Sequence, residues 1–144
     1  MIEGEYIPSP AEWVRKQVEL YESSGGTQGT ELRGLPVVLV THRGQRTGAV
    51  RKTPLMRVAV EGGAYVLVGS RGGAPEHPQW VHNLRAHPEV ELRDGTSVRS
   101  MRVREVEGDE RARLWQSAVA AFAPYAEYEQ KTSRLIPLFL AEPV

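Results

Sequence analysis

Apolar residues along the chain change their period several times, and each change marks an element. Val14, Val18 and Tyr21 recur at helical spacing, with Trp13 and Leu20 beside the stripe. Ser9-Pro10-Ala11-Glu12 stands before them with the spacing of a capping box and a proline at the first helical position. An amphipathic helix is therefore expected over 10–23. Residues 23–34, SSGGTQGTELRG, have no periodic apolar positions and read as a flexible linker. LPVVLVTH (35–42) is a continuous apolar run of strand length, hence a buried strand. The polar turn RGQRTG (43–48) leads to a second strand over 49–60. Pro54 confines the middle of that strand to an edge or a bulge, because proline cannot donate to a ladder. Glu61-Gly62-Gly63 closes a hairpin onto a third strand over 64–70. Pro78 opens a short helix that ends near Ala86, before His87-Pro88. EVELR, Asp94-Gly95 and TSVRSMRVREVE form a second hairpin. Asp109 caps a helix reaching Ala123, Pro124 restarts one reaching Arg134, and IPLFL (136–140) is the last strand.

The resulting order is α-βββ-α-ββ-αα-β. The strands come mostly as hairpins rather than as alternating βαβ units, which excludes a doubly wound sheet. An α+β fold is expected, a small and mostly antiparallel barrel with peripheral helices. Residues 1–32 would form an N-terminal helix and linker, and 33–144 the barrel domain.

Composition narrows the class. The chain has 144 residues, no cysteine, and equal numbers of bases and acids, 18 each. The absence of cysteine removes disulfides, thiol catalysis, thiolate metal sites and iron–sulfur clusters. No apolar run approaches a membrane-spanning length, and the N-terminus has no basic start or apolar signal core, so a soluble, cytoplasmic protein is expected. The zero net charge argues against a general nucleic-acid binder, but it hides a segregation. Residues 33–104 hold twelve bases against five acids, whereas 1–32 hold two against six and 105–144 four against seven. The acidic surroundings of the first helix leave at most a weak peripheral contact with anionic lipid.

Four clusters could carry chemistry. In THRGQRTGAVRKTPL (41–55), Gly44 and Gly48 would let backbone N–H groups approach a ligand, Arg46, Arg51 and Lys52 supply charge, and Thr47 and Thr53 supply hydroxyls. This suits a phosphate or carboxylate; the alternative is a solvated hairpin whose charges protect an edge. Strand alternation puts Arg51 and Thr53 on one face and Lys52 on the other, which favours Arg51 as the ligand contact. In VGSRGGAPEHPQWVHNL (68–84), Ser70 ends a strand and a helix start follows, where free N–H groups can hold an anion or a polarised carbonyl. Ser70 lacks the Gly-x-Ser-x-Gly setting of a nucleophile. His77, His82 and His87 diverge at five-residue spacing, so no shared metal face is expected. Phe122, Tyr125 and Tyr128 make one helical stripe, either core or pocket wall, and buried phenols would need hydrogen-bond partners.

Three stretches together resemble the deazaflavin-dependent nitroreductase family, small actinobacterial oxidoreductases that use coenzyme F420. They are G-x-R-T-G-x-x-R-x-x-P-L at 44–55, S-R-G-G-A-P-x-H-P-x-W-x-x-N-L at 70–84, and N-L-R-A-H-P-E-V at 83–90. Y-x-x-Y followed by T-x-R-x-I-P near the end extends the likeness over roughly 33–142. The resemblance implies a split β-barrel of the kind that binds flavin mononucleotide. It implies a cofactor with a redox ring, a ribityl phosphate and a poly-γ-glutamate tail. It places Arg46, Thr47, Arg51, Lys52, Thr53, Pro54 and Leu55 against that cofactor, with Val68, Gly69, Ser70 and Arg71 and then Gln79, Trp80, Val81, His82 and Asn83. Tyr125 would lie near the ring, and Tyr128, Met56 and Phe122 on the substrate side. The family's best-studied branch has lysine in place of Arg46 and Arg71, and tyrosine in place of Met56 and Phe122. The substrate pocket here should be more apolar.

The expected activity is hydride transfer from the reduced deazaflavin to a quinone, enone or nitro-aromatic acceptor. Ser70 would bind the developing oxyanion or the ring, and Tyr125 and Tyr128 would wall the acceptor. Two alternatives stay open: the same barrel using flavin mononucleotide, or a non-catalytic carrier of the deazaflavin or another anionic ligand.

Overall fold

The computed structural model describes residues 2–144. It contains α1 (Glu12–Ser23), β1 (Glu31–Leu32), β2 (Leu35–Arg43), β3 (Val50–Met56), β4 (Ala59–Val60), β5 (Ala64–Val68), α2 (Gln79–Ala86), β6 (Glu89–Asp94), β7 (Ser97–Glu105), α3 (Gly108–Ala121), α4 (Pro124–Lys131) and β8 (Leu138–Pro143). Every pairing in the sheet is antiparallel. The strand order is β1-β2-β6-β7-β8-β5-β4, with β3 attached to β2. The sheet curls into a half-barrel, an α+β fold of the split-barrel kind. Pro54 lies on β3, whose one strand partner is β2; the N-terminal segment bonds the outer edge of β3 at Val50 and not at Pro54, so the missing N–H costs no ladder bond.

The run LPVVLVTH is apolar throughout because both faces of β2 are covered. Val38 and Val40 join one core with Leu67, Trp80, Leu84, Leu92, Met101 and Phe139, beneath α2. Val37 and Leu39 turn the other way and meet Val18 and Tyr21 of α1. The same alternation on β5 and β8 sends Leu67 and Phe139 to the α2 side. It sends Val66, Val68, Leu138 and Leu140 to a second core with Leu114, Phe122 and Tyr125 of the α3–α4 region.

Several local expectations change. The first helix begins at Glu12, with Ala11 at its N-cap; the Ser9 hydroxyl accepts from the Ala11 N–H at 3.2 Å rather than capping a helical turn. α3 starts at Gly108, ahead of Asp109, and makes no side-chain cap. α4 stops at Lys131. The segment expected as a linker is ordered by bonds. Ser24 Oγ accepts from the N–H groups of Thr27 and Gln28, Gln17 donates to the carbonyls of Gly29 and Glu31, and β1 pairs with β2. The Tyr21 hydroxyl accepts from the Gly95 N–H at 2.8 Å and lies 3.1 Å from the Val37 carbonyl, locking α1 to the sheet.

Candidate active site

Several segments converge on one cleft of about 1180 Å³, and its lining includes Ser9, Ala11, Trp13 and Val14 from the start of the chain and α1, and Leu32 and Arg33 from β1 and the turn after it. β3 contributes Thr53, Pro54, Leu55 and Met56. The end of β5 and the turn after it contribute Val68, Ser70 and Arg71. The start of α2 brings Gln79, Trp80 and His82, and Phe122, Tyr125 and Tyr128 form an aromatic wall. A cavity of about 510 Å³ adjoins it, lined by Arg46, Thr47, Arg51 and Asn83, and Gln79 borders both. A third, of about 300 Å³, takes in His42, Arg51, Lys52 and Thr53. Gly69 and Val81 line none of the three. They form the crossing of β5 under α2, where a Cβ on Gly69 would stand 2.7 Å from Val81 Cγ2.

Pairing divides the basic band: six of its twelve bases have acidic partners, and Arg33, Arg43, Arg46, Arg51, Arg93 and Arg99 have none among the described residues. Lys52 bonds Glu22 on α1 at 2.7 Å, Arg57 bonds Asp94 at 2.8 Å and Arg85 bonds Glu105 at 2.9 Å. Among the described residues, Arg46 and Arg51 have no acidic partner, and both face the smaller cavity. Arg51 and Lys52 thus differ in pairing, Lys52 being held by Glu22, while both border the third cavity. The N–H groups of Gly44 and Gly48, expected to be open to a ligand, are taken by the carbonyls of Ala49 and Gly44 in closing the hairpin. The anion-binding character of this turn rests on side chains.

The loop between β5 and α2 is held by Arg134. Its guanidinium donates to the carbonyls of Gly69, Ser70 and Ala74 and lies 2.8 Å from His77 Nδ1. Burial, then the Arg134 charge, pushes His77 below the ordinary histidine range, so Nδ1 accepts and the ring stays neutral. Gly73 takes φ +81°, and a Cβ there would stand 2.8 Å from the Tyr128 carbonyl, so this turn packs directly on α4. The Ser70 backbone is thereby pinned. Its hydroxyl has no hydrogen-bond partner among the described residues and borders the cleft.

Tyr125 meets Phe122 edge-on at 4.9 Å and Tyr128 at 6.2 Å. Its hydroxyl also has no partner among the described residues, the position of a pocket wall rather than of a satisfied core phenol. Burial, reinforced by Tyr128, raises its pKa well above the ordinary phenol value, so the proton stays on. The Tyr128 hydroxyl accepts from Arg33 at 3.3 Å.

A family model described as F420H(2)-dependent quinone reductase matches residues 13–143. The chain belongs to this family. An F420H(2)-dependent quinone reductase of Mycobacterium tuberculosis is 37% identical over 123 residues, covering 83% of this chain and 82% of that one. A solved structure described as a domain-swapped dimer is 46% identical, with a TM-score of 0.73, and covers 93% of this chain and 100% of its own. A solved F420-H2 dependent reductase is 48% identical, with a TM-score of 0.70, and covers 74% of this chain and 94% of its own. As a member of the F420H(2)-dependent quinone reductase family, the chain is a reductase with coenzyme F420 as its cofactor. The residues fit that group. The cleft offers an aromatic wall and unpartnered hydroxyls for a flat ring, and the adjoining cavity offers two unpaired arginines for anionic groups.

The sequence gives no site role to Arg33, His42, His77 or Arg134, nor to Ser9, Ala11, Trp13, Val14 and Leu32, which also line the cleft. His42 had a legible signal, a polar side chain ending an otherwise apolar strand. Arg134 stands in the T-x-R-x-I-P stretch. His77 was considered only as a metal ligand, and Arg33 lay in what read as a linker.

Proposed function

We propose that the cleft holds the reduced cofactor and a quinone-class acceptor against one another, with this chain's residues binding both and supplying the proton path. The observation that carries this is the junction at Gln79 of an aromatic-walled cleft and a smaller cavity holding Arg46 and Arg51 without acidic partners. When bound, the reduced deazaflavin supplies a hydride. Arg46 and Arg51 bind its anionic part through charge-assisted hydrogen bonds. Thr53, Gln79 and His82 border the ring region, and Trp80 closes it from the α2 side. Ser70 Oγ donates to an oxygen whose charge grows during transfer, with the pinned loop keeping that donor in place. Tyr125 remains protonated and acts as a hydrogen-bond donor on the acceptor side. A quinone that gains a hydride needs one proton to leave as quinol, and the half-buried Tyr128 hydroxyl is placed to relay it from solvent. Met56 and Phe122 make the acceptor wall apolar, which favours quinones over more polar nitro-heterocycles.

We also place the protein in the cytoplasm. Among the described residues no helix is long and apolar enough to cross a membrane. Trp13 and Leu20, 56% and 44% exposed on α1, allow at most a weak peripheral contact. The decisive experiment follows oxidation of reduced F420 with a panel of quinones, enones and nitro-aromatics. Fastest turnover with a quinone is expected. Binding without turnover across the panel would mark a carrier, and tight binding of flavin mononucleotide with none of F420 would replace the cofactor assignment.

A further inference from the structure

His42 is 2% exposed, one of four buried polar side chains, and no step above uses it. It sits in a chain of hydrogen bonds whose directions can be worked out from one end. The Gln45 backbone N–H lies 2.8 Å from Asn83 Oδ1. A backbone N–H only donates, so this contact settles which end of the Asn83 amide is oxygen. Gln79 Nε2, 3.2 Å away, donates to the same oxygen. Asn83 Nδ2 is then the end that faces His42 Nδ1, at 3.3 Å, and an amide nitrogen only donates. His42 Nδ1 must accept. The ring is neutral: burial, then the neighbouring Arg51 charge, pushes its pKa down to about 4. A neutral imidazole with a bare Nδ1 carries its proton on Nε2. That nitrogen lies 3.0 Å from Thr53 Oγ1, so His42 donates and Thr53 accepts. The Thr53 hydrogen cannot point back at an N–H, and among the described residues no other group takes it. Thr53 borders the cleft.

We propose that His42 is a positioning residue that, held by Asn83, occupies one lone pair of the Thr53 hydroxyl and so directs its hydrogen toward the cofactor. A free threonine can donate or accept. Here the hydrogen is committed to the cavity, and with Arg51 beside it two donors are offered to an oxygen acceptor on the ligand, such as a phosphate or carbonyl oxygen. The inference rests on the cofactor reading of the cleft but acts through the free protein's own hydrogen bonds.

Two measurements test it. A long-range ¹H–¹⁵N correlation spectrum of the unliganded chain reads the His42 tautomer directly; protonation at Nε2 is expected, and protonation at Nδ1 overturns the proposal. The second is a double-mutant cycle on F420 affinity by fluorescence titration. His42→Phe should weaken binding about fivefold, the worth of one net hydrogen bond. In the Thr53→Val background it should add nothing, and Thr53→Ser should restore the effect. Equal losses from His42→Phe in both backgrounds would make His42 merely structural and overturn the proposal. If His42→Phe does not fold, the tautomer decides. If the wild-type chain binds no F420, the reading of the cleft has failed, and the tautomer alone then decides whether Thr53 is a donor.

Discussion

The Ser70 hydroxyl borders the cleft without a partner, while its carbonyl is held by Arg134 at 2.7 Å and by the Gly73 N–H at 2.9 Å. Ser70→Ala therefore removes a donor without loosening the loop. Turnover should fall by about a hundredfold, the usual effect of losing one positioned oxyanion donor, with a much smaller change in F420 affinity. Unchanged turnover would remove Ser70 from the chemistry. Arg51 should show the opposite split. It has no acidic partner, so Arg51→Ala should weaken F420 binding by about ten- to hundredfold and flatten the salt dependence of the dissociation constant. Lys52→Ala should leave that salt dependence nearly intact, because Glu22 already neutralises its charge. The distinction between Arg51 and Lys52 was legible in the sequence because strand alternation needs only local geometry. The identity of Lys52's partner was not, since Glu22 stands thirty positions away on another element.

At the scale of elements, chain periodicity found every helix and every strand longer than two residues, because burial on a helix face or sheet face writes its own period. It missed the exact starts of α1 and α3, which begin at Glu12 and Gly108 without side-chain caps. It also missed β1, whose two residues are too few to show alternation, read as one strand over 49–60 what the chain divides into β3 on β2 and β4 on β5, and placed at 136–140 a last strand that runs over Leu138–Pro143. The contact between β5 and α2 has a sharp steric test. A methyl at Gly69 would stand 2.7 Å from Val81 Cγ2 and 3.3 Å from Pro137 Cδ, in backbone that any residue can adopt. Gly69→Ala should destabilise by about 1–3 kcal/mol, the cost of overpacking a close contact. The urea midpoint checks this. Displacement of α2 should also weaken F420 binding, since Gln79 borders both cavities.

For the whole molecule, we propose that α1 and the barrel form one cooperative unit, because Tyr21 is fully buried and bonded to both β2 and the β6–β7 turn. A single calorimetric transition is expected for the full chain; two separated transitions would divide it. Acid should weaken that unit in a defined window. The His42 pKa is lowered from 6.5 to about 4, so between these values the unfolded chain binds a proton that the folded chain does not. Stability should be fully present above about pH 6.5 and fall by roughly 3 kcal/mol as pH drops to 4. In His42→Phe this part of the pH dependence should vanish. Folding leaves the net charge unchanged and redistributes it. The count of 18 bases and 18 acids is zero at any distance. In space, Lys52, Arg57, Arg71, Arg85, Arg102 and Arg104 pair with acids, and two of the arginines without acidic partners among the described residues, Arg46 and Arg51, share one cavity. By itself the sequence determined the order of the longer elements, the antiparallel class and many of the residues that line the cleft from β3, the end of β5, α2 and the aromatic stripe, because these follow from local periodicity and from motifs whose spacing survives divergence. Only the tertiary structure decided which charges remain unpaired, that Arg134 clamps the Ser70 loop, and that Asn83, His42 and Thr53 share one directed chain of hydrogen bonds. Those depend on groups 11 to 65 positions apart, whose distances no local pattern encodes.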